Sequence, residues 1–117
     1  MESNRLYFYL WSHTFWDPDQ DRLLTRSCFG ITGNCDKRIL NYEGHVGHKV
    51  KFHRVWMGPD RLIRELESKI KKDFYNQLVR GTKGNPYEWI NEQVTIEQLC
   101  NWVDWEVGEI PTVSCVV

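Results

Sequence analysis

No uninterrupted apolar run of about 18 residues occurs in the chain, so a membrane-spanning helix is excluded. The four cysteines, Cys28, Cys35, Cys100 and Cys115, form no Cys-x-x-Cys pair, which removes the usual zinc pattern. Two disulfides remain open on paper. The start of the chain, Met1-Glu2-Ser3-Asn4-Arg5, is polar, and the aromatics after it meet no small-residue cleavage site. No export signal is therefore expected. Reduced thiols and a cytoplasmic location follow as expectations. Internal repeats and low-complexity stretches are also lacking.

What is present suits one compact domain over residues 1–117. Hydrophobic residues make up 41% of the chain and charged residues 26%. Six tryptophans supply enough bulky surface for a core without covalent staples. The net charge of −1 is uninformative by itself, but its distribution is not. Between Lys37 and Lys83, twelve Lys and Arg stand against five Asp and Glu, and both flanks are acidic. Such a basic block is the electrostatic footprint expected for phosphate binding. It is equally compatible with a mixed, solvated surface.

Leu6-Tyr7-Phe8-Tyr9-Leu10-Trp11 reads as a strand. A second strand over Arg26–Ile31 would pair with it across a long acidic loop around Asp17–Asp21. A short helix is expected from Cys35 or Asp36 to about Tyr42, then a loop carrying Gly44 and Gly47. Lys49–Met57 reads as a third strand. Gly58-Pro59-Asp60 then opens a helix to about Tyr75, with Asp60 as its cap. Tyr87-Glu88-Trp89-Ile90 reads as short and irregular. Thr95 caps a last helix, and the tail from Val113 to Val117 is either an edge strand or loose. The expected fold is α+β, in the order ββαβαα: a small, mainly antiparallel three-stranded sheet flanked by helices.

One residue breaks the second helix's pattern. Leu62, Leu66, Ile70 and Phe74 form an apolar stripe that Ile63 widens. Glu67 falls on or beside that stripe, where a carboxylate is unfavourable without a partner. A salt bridge to Arg64 or Lys71 is the plain explanation. Gly30 within a strand marks a close backbone approach, and Arg38 follows it by eight residues. An arginine there suits two-pronged phosphate binding.

Together these pieces resemble the GIY-YIG nuclease superfamily over roughly residues 6–90. Tyr7-Phe8-Tyr9-Leu10-Trp11-Ser12 resembles the first motif strand, with Tyr9, or alternatively Tyr7, at its tyrosine. Cys28-Phe29-Gly30 resembles the second motif, although Cys28 stands where many members have tyrosine. Arg38, Glu67 and the segment Tyr87–Ile90 stand in the family's order and spacing. Tyr42 sits where several members keep a histidine or tyrosine.

The resemblance implies a metal-dependent DNA endonuclease, of phage or mobile-element origin and then working in the host cytoplasm. Glu67 would anchor Mg²⁺ or Mn²⁺, because magnesium tolerates a single protein carboxylate and keeps several waters. Arg38 would neutralise charge on the phosphate. Tyr9 would help activate water, with Tyr7 and Tyr42 as further candidates. Gly30, Lys37, Lys69, Lys71, Lys72 and Arg80 would meet the DNA, the cations through its phosphates. A homodimer would allow double-strand cleavage. Two other readings stay open: a DNA-binding module that has lost cleavage, and a phage factor acting through protein–protein contacts. His45-x-x-His48 with His53 is a thin zinc pattern, and His13 or His53 could line the cleft.

Overall fold

The computed structural model of the chain describes residues 5–80, 86–91 and 93–117, the side chains of residues 80 and 86–88 excepted. Two long strands form its spine. β1 (Arg5–Asp17) and β2 (Arg22–Thr32) pair antiparallel from Tyr7 opposite Thr32 to Asp17 opposite Arg22. The expected long acidic loop is instead a four-residue turn, Pro18 to Asp21. Asp17 Oδ1 accepts from the Asp19 amide, and Asp21 takes the left-handed conformation with φ of 53°. Short Asx side chains permit both.

α1 (Cys35–Val46) follows, capped by Asn34, whose Oδ1 accepts from the Lys37 amide at 3.0 Å. It runs past the expected stop at Tyr42. Gly44 is tolerated inside it, at a cost of about 1 kcal/mol relative to alanine. The stop is Gly47, left-handed with φ of 77°, as helix C-termini favour. β3 is shorter than expected, Arg54–Pro59, and pairs with β1. α2 (Asp60–Asp73) leaves it directly, so Asp60 begins the helix rather than capping it and pairs with Arg64 at 2.6 Å. A single 3₁₀ turn (Tyr75–Gln77) leads to β4 (Leu78–Arg80) and then β5 (Pro86–Ile90). α3 (Ile96–Val107) begins at Thr95 with a reciprocal cap from Gln98. β6 (Ser114–Cys115) closes the chain's sheet contacts.

The sheet therefore corrects the expectation of three strands. It has six, in the order β4-β5-β2-β1-β3-β6, and every pair is antiparallel. The expected central trio is there, β2-β1-β3. The segment read as irregular is β5, which pairs with β2 through Ser27–Ile90 and Cys28–Trp89. The tail supplies β6 beside Trp56 and Met57.

Alternation along β1 sorts its side chains to two layers. Phe8 and Leu10 enter a cluster with Phe29, Trp56 and the α2 and α3 residues Ile63, Leu66, Ile70, Leu99 and Val103. Tyr9 and Trp11 enter another with Cys28, Phe52 and Val55, covered by Ile39 and Tyr42 of α1. Helix α1 thus lies over one face of the sheet, and α2 and α3 over the other. β1 is buried on both sides at its centre, which explains why residues 8–11 are all apolar or aromatic.

Gly58 marks where the tail crosses β3. A Cβ there would stand 2.8 Å from Val113 Cγ2 and 3.4 Å from the Thr112 carbonyl oxygen. Val113 is buried and stiff at χ1. Gly58→Ala should therefore lower stability by about 1–2 kcal/mol through overpacking, read as a lower midpoint in urea unfolding.

Candidate active site

The α1-side layer brings three of the expected residues together. Tyr9 and Tyr42 share a hydroxyl–hydroxyl hydrogen bond of 2.5 Å. Arg38 Nη1 donates to Tyr9 Oη at 3.1 Å. The helix makes this possible, since Arg38 and Tyr42 are one turn apart and share a side of α1. Asn34 fixes where that helix begins, and Gly30 stands opposite Tyr9 in the ladder without a side chain to fill the space beside it. Phe52 stacks flat on the Tyr9 ring at 4.2 Å and fixes its plane.

Burial disfavours the Arg38 charge, but the nearby Tyr9 and Tyr42 oxygens and their hydrogen bonds outweigh it. The guanidinium is held above its ordinary pKa. It is therefore a permanent cation with an arginine's fork of donors. Access is uneven. Tyr9 has no exposed surface, whereas Arg38 and Tyr42 are half-exposed. Any substrate at this centre meets Arg38 and Tyr42 first, with Tyr9 beneath them.

Tyr7 points to the same face but does not join this cluster's hydrogen bonds. It lines a separate cavity of about 560 Å³ with Asn34, Ile39, Phe52 and Val116. Of the two tyrosines, Tyr9 is the one that meets the arginine. Cys28 is buried beside Trp11 and Trp89, and burial pushes its thiol pKa well up. It packs as a small buried group whose thiol donates weakly to the Arg26 carbonyl at 3.8 Å.

Glu67 stands elsewhere. It projects from α2, whose buried residues belong to the opposite face of the sheet. Its recorded partner is Lys71 Nζ at 3.9 Å, the salt bridge anticipated from the sequence. Its oxygens suit a magnesium ion in kind, and it is half-buried. Among the described residues no contact joins it to Tyr9, Arg38 or Tyr42, and no group of three potential metal ligands occurs. The candidate DNA contacts divide in the same way. Lys37 is exposed on α1, beside Arg38. Lys69 pairs with Glu106 at 2.7 Å, and Lys72 lines the groove between α2 and α3. The Arg80 side chain lies outside the described residues.

A neighbouring cluster on the α1 face surrounds His13, one of the two histidines offered as cleft-lining, although the sequence reading does not join its other members to it. His13 lies next after Trp11 on that face and opposite Arg26. Its ring packs near Trp11, Phe15, His48 and Trp89. The Arg26 guanidinium lies 4.8 Å from the Phe15 ring centre. His53, by contrast, is tied to Ser12 at 2.9 Å.

The α+β sandwich and its tyrosine–arginine centre define the chain as far as geometry goes. No family model, no curated protein and no solved structure matches it. Among the described residues, no helix is long and apolar enough to cross a membrane.

Proposed function

We propose that this chain is a small phosphodiester-cleaving domain of the GIY-YIG kind, acting on DNA in the cytoplasm. The observation that supports it most is the meeting of Tyr9, Tyr42 and Arg38, three residues 33 positions apart at most. In this reading Arg38 donates to a phosphate oxygen and offsets the charge that grows there. Tyr42, at the surface, hydrogen-bonds the attacking water, and Tyr9, as the phenolate favoured by the Arg38 cation, takes up through Tyr42 the proton that the water loses. The buried Tyr9 holds both partners in place. Glu67 suits Mg²⁺ or Mn²⁺ in kind but stands across the sheet from Arg38, so it does not fit as the anchor of a metal on the same phosphate, and the reading rests on Arg38 and the two tyrosines.

A binding module without cleavage is the second reading. The placement of Glu67 on the far side of the sheet from Arg38 favours it. Incubation with supercoiled plasmid separates the two. Nicking with Mg²⁺ or Mn²⁺ is expected, lost in EDTA and slowed about 10²- to 10⁴-fold in Tyr42→Phe. Intact plasmid under every condition, with DNA binding retained at low salt, would give the binding module instead. No binding even at low salt, where phosphate contacts are strongest, would leave a protein-interaction role.

A further inference from the structure

The hairpin of β1 and β2 outruns the strand beside it. β3 accompanies β1 only as far as Leu10, so among the described residues Trp11–Asp17 have ladder partners in β2 alone. The direction of the backbone along this open edge follows from its neighbour. The Leu10 carbonyl accepts from the His53 amide at 2.8 Å, on the β3 side. Strand groups alternate in direction, and the pairing of β1 with β2 runs without a shift. The amides and carbonyls of Thr14 and Trp16 therefore point outward. The Thr14–Thr25 hydroxyl bond of 2.8 Å agrees, because side chains come closest in the pairs that exchange no backbone bonds.

Native proteins guard such edges with lysine, proline or a bulge. Trp11-Ser12-His13-Thr14-Phe15-Trp16-Asp17 carries none of these. Its outer end is also apolar and open to solvent: Trp16 is 55% exposed and its ladder partner Leu23 is 65% exposed.

The edge is complementary to itself. Consider two copies set antiparallel about a twofold axis at Phe15, perpendicular to the sheet. Thr14 of each copy exchanges both of its backbone bonds with Trp16 of the other. Phe15 meets Phe15 at the axis, and His13 of each copy faces Asp17 of the other. With β2 included, one face carries the apolar row Leu24–Phe15–Phe15–Leu24. On either side of it runs the row Arg26–His13–Asp17–Arg22, in which the carboxylate of one copy lies beside the histidine of the other. Opposite charges facing across strands stabilise a pairing. His48 stacks on His13 at 5.3 Å and brings a second imidazole to that place. Asp17 uses Oδ1 in its own turn and has Oδ2 left for the partner. On the other face the two Trp16 side chains become diagonal neighbours, a distance that aromatic rings span. This register also leaves the Ser12–His53 bond of 2.9 Å undisturbed.

We propose that the open edge of β1 is a dimerisation surface, at which a second copy of this chain adds its own β1 and the two sheets become one. The same patch serves both partners, so the assembly closes at two copies. It does not depend on the nuclease reading.

Sedimentation equilibrium of the full chain, from micromolar to sub-millimolar concentration, tests it. The mean mass should rise from 14.0 kDa towards twice that value. Thr14→Pro removes an outward amide that β2 does not use, and should weaken association by roughly tenfold or more. Hydrogen exchange of the wild-type chain needs no variant. The Thr14 and Trp16 amides should exchange more slowly as concentration rises. A mass that stays at 14.0 kDa throughout would overturn the proposal. So would a dimer whose Thr14 and Trp16 amides exchange equally fast at every concentration, or one that a folded Thr14→Pro chain forms as well as wild type, since it would then use another surface. The exchange measurement decides the matter if Thr14→Pro does not fold.

Discussion

Arg38→Lys should lower single-turnover DNA cleavage about 10²- to 10³-fold while changing DNA affinity less than tenfold. Lysine keeps the positive charge, so long-range attraction to DNA survives. It loses the planar fork that meets Tyr9 Oη and a phosphate at once. A donor aimed at the charge that develops in the transition state is worth about 3–4 kcal/mol in acyl-transfer enzymes, and the expected loss corresponds to that. Thermal unfolding should barely move, because Tyr9 keeps its bond to Tyr42. Equal cleavage rates in Arg38→Lys and wild type would remove this arginine from the chemistry. A rate loss matched by an equal loss of affinity would make it a binding residue alone.

Trp56→Ala should be the most damaging single change to the fold, at about 3–5 kcal/mol. Trp56 is 1% exposed and packs near Phe8 with ring centres 6.1 Å apart. Its indole Nε1 donates to Asp104 Oδ1 at 3.3 Å, and Arg54 lies over its ring while pairing with the same carboxylate. The residue therefore joins β3 to α3 and also faces Cys115 of β6. A domain of this size has about 5–15 kcal/mol in all, so the variant would lose a large fraction of its stability. Guanidinium unfolding would show this as a lower midpoint. Trp56→Phe, which keeps the ring contacts and loses the indole bond, should cost roughly half as much or less. Equal losses would mean that the hydrogen bond, not the ring, carries the effect.

Local patterns made much of this arrangement legible beforehand. The aromatic run at 6–11, the four-residue spacing of Leu62, Leu66, Ile70 and Phe74, and Thr95 before an apolar stripe each report on neighbours close in sequence. β5 was hidden for the opposite reason: it is five residues long, too short for a period to show, and exists because of a partner far along the chain. The two-residue β6 is the edge-strand alternative that the tail offered, and only its partners Trp56 and Met57 decide for it. α1 overran its expected end because a glycine inside a helix is only a mild penalty, whereas Gly47 in the left-handed region is a true stop.

The site divides likewise. Arg38 and Tyr42 share a helix face by spacing alone, and Gly30 marked the space opposite. Which tyrosine they meet required the strand's facing. The Trp11–His13–Arg26 cluster required the register of the whole hairpin. The signal was present: His13, Phe15 and Asp17 alternate with Ser12, Thr14 and Trp16, and a four-residue turn after Asp17 puts His13 across from Arg26. Reading the acidic stretch as a long loop concealed it. Glu67 was correctly placed beside the apolar stripe and next to Lys71, but a helical wheel does not say which side of a sheet the helix will cover.

The sheet ends in β4, three residues long, and β6, two residues long. Long, flat outer strands offer a row of unpaired amides and carbonyls on which another chain can build. Here what the ends present is too short to template a neighbour. The outer half of the long hairpin is different: β1 pairs with β3 only over Arg5–Leu10 and β2 with β5 only at Ser27 and Cys28, so among the described residues Trp11–Asp17 and Arg22–Arg26 have ladder partners on one side alone. Strand addition at the sheet's two ends is disfavoured by their length, and the projecting hairpin is the place that remains open to a second copy.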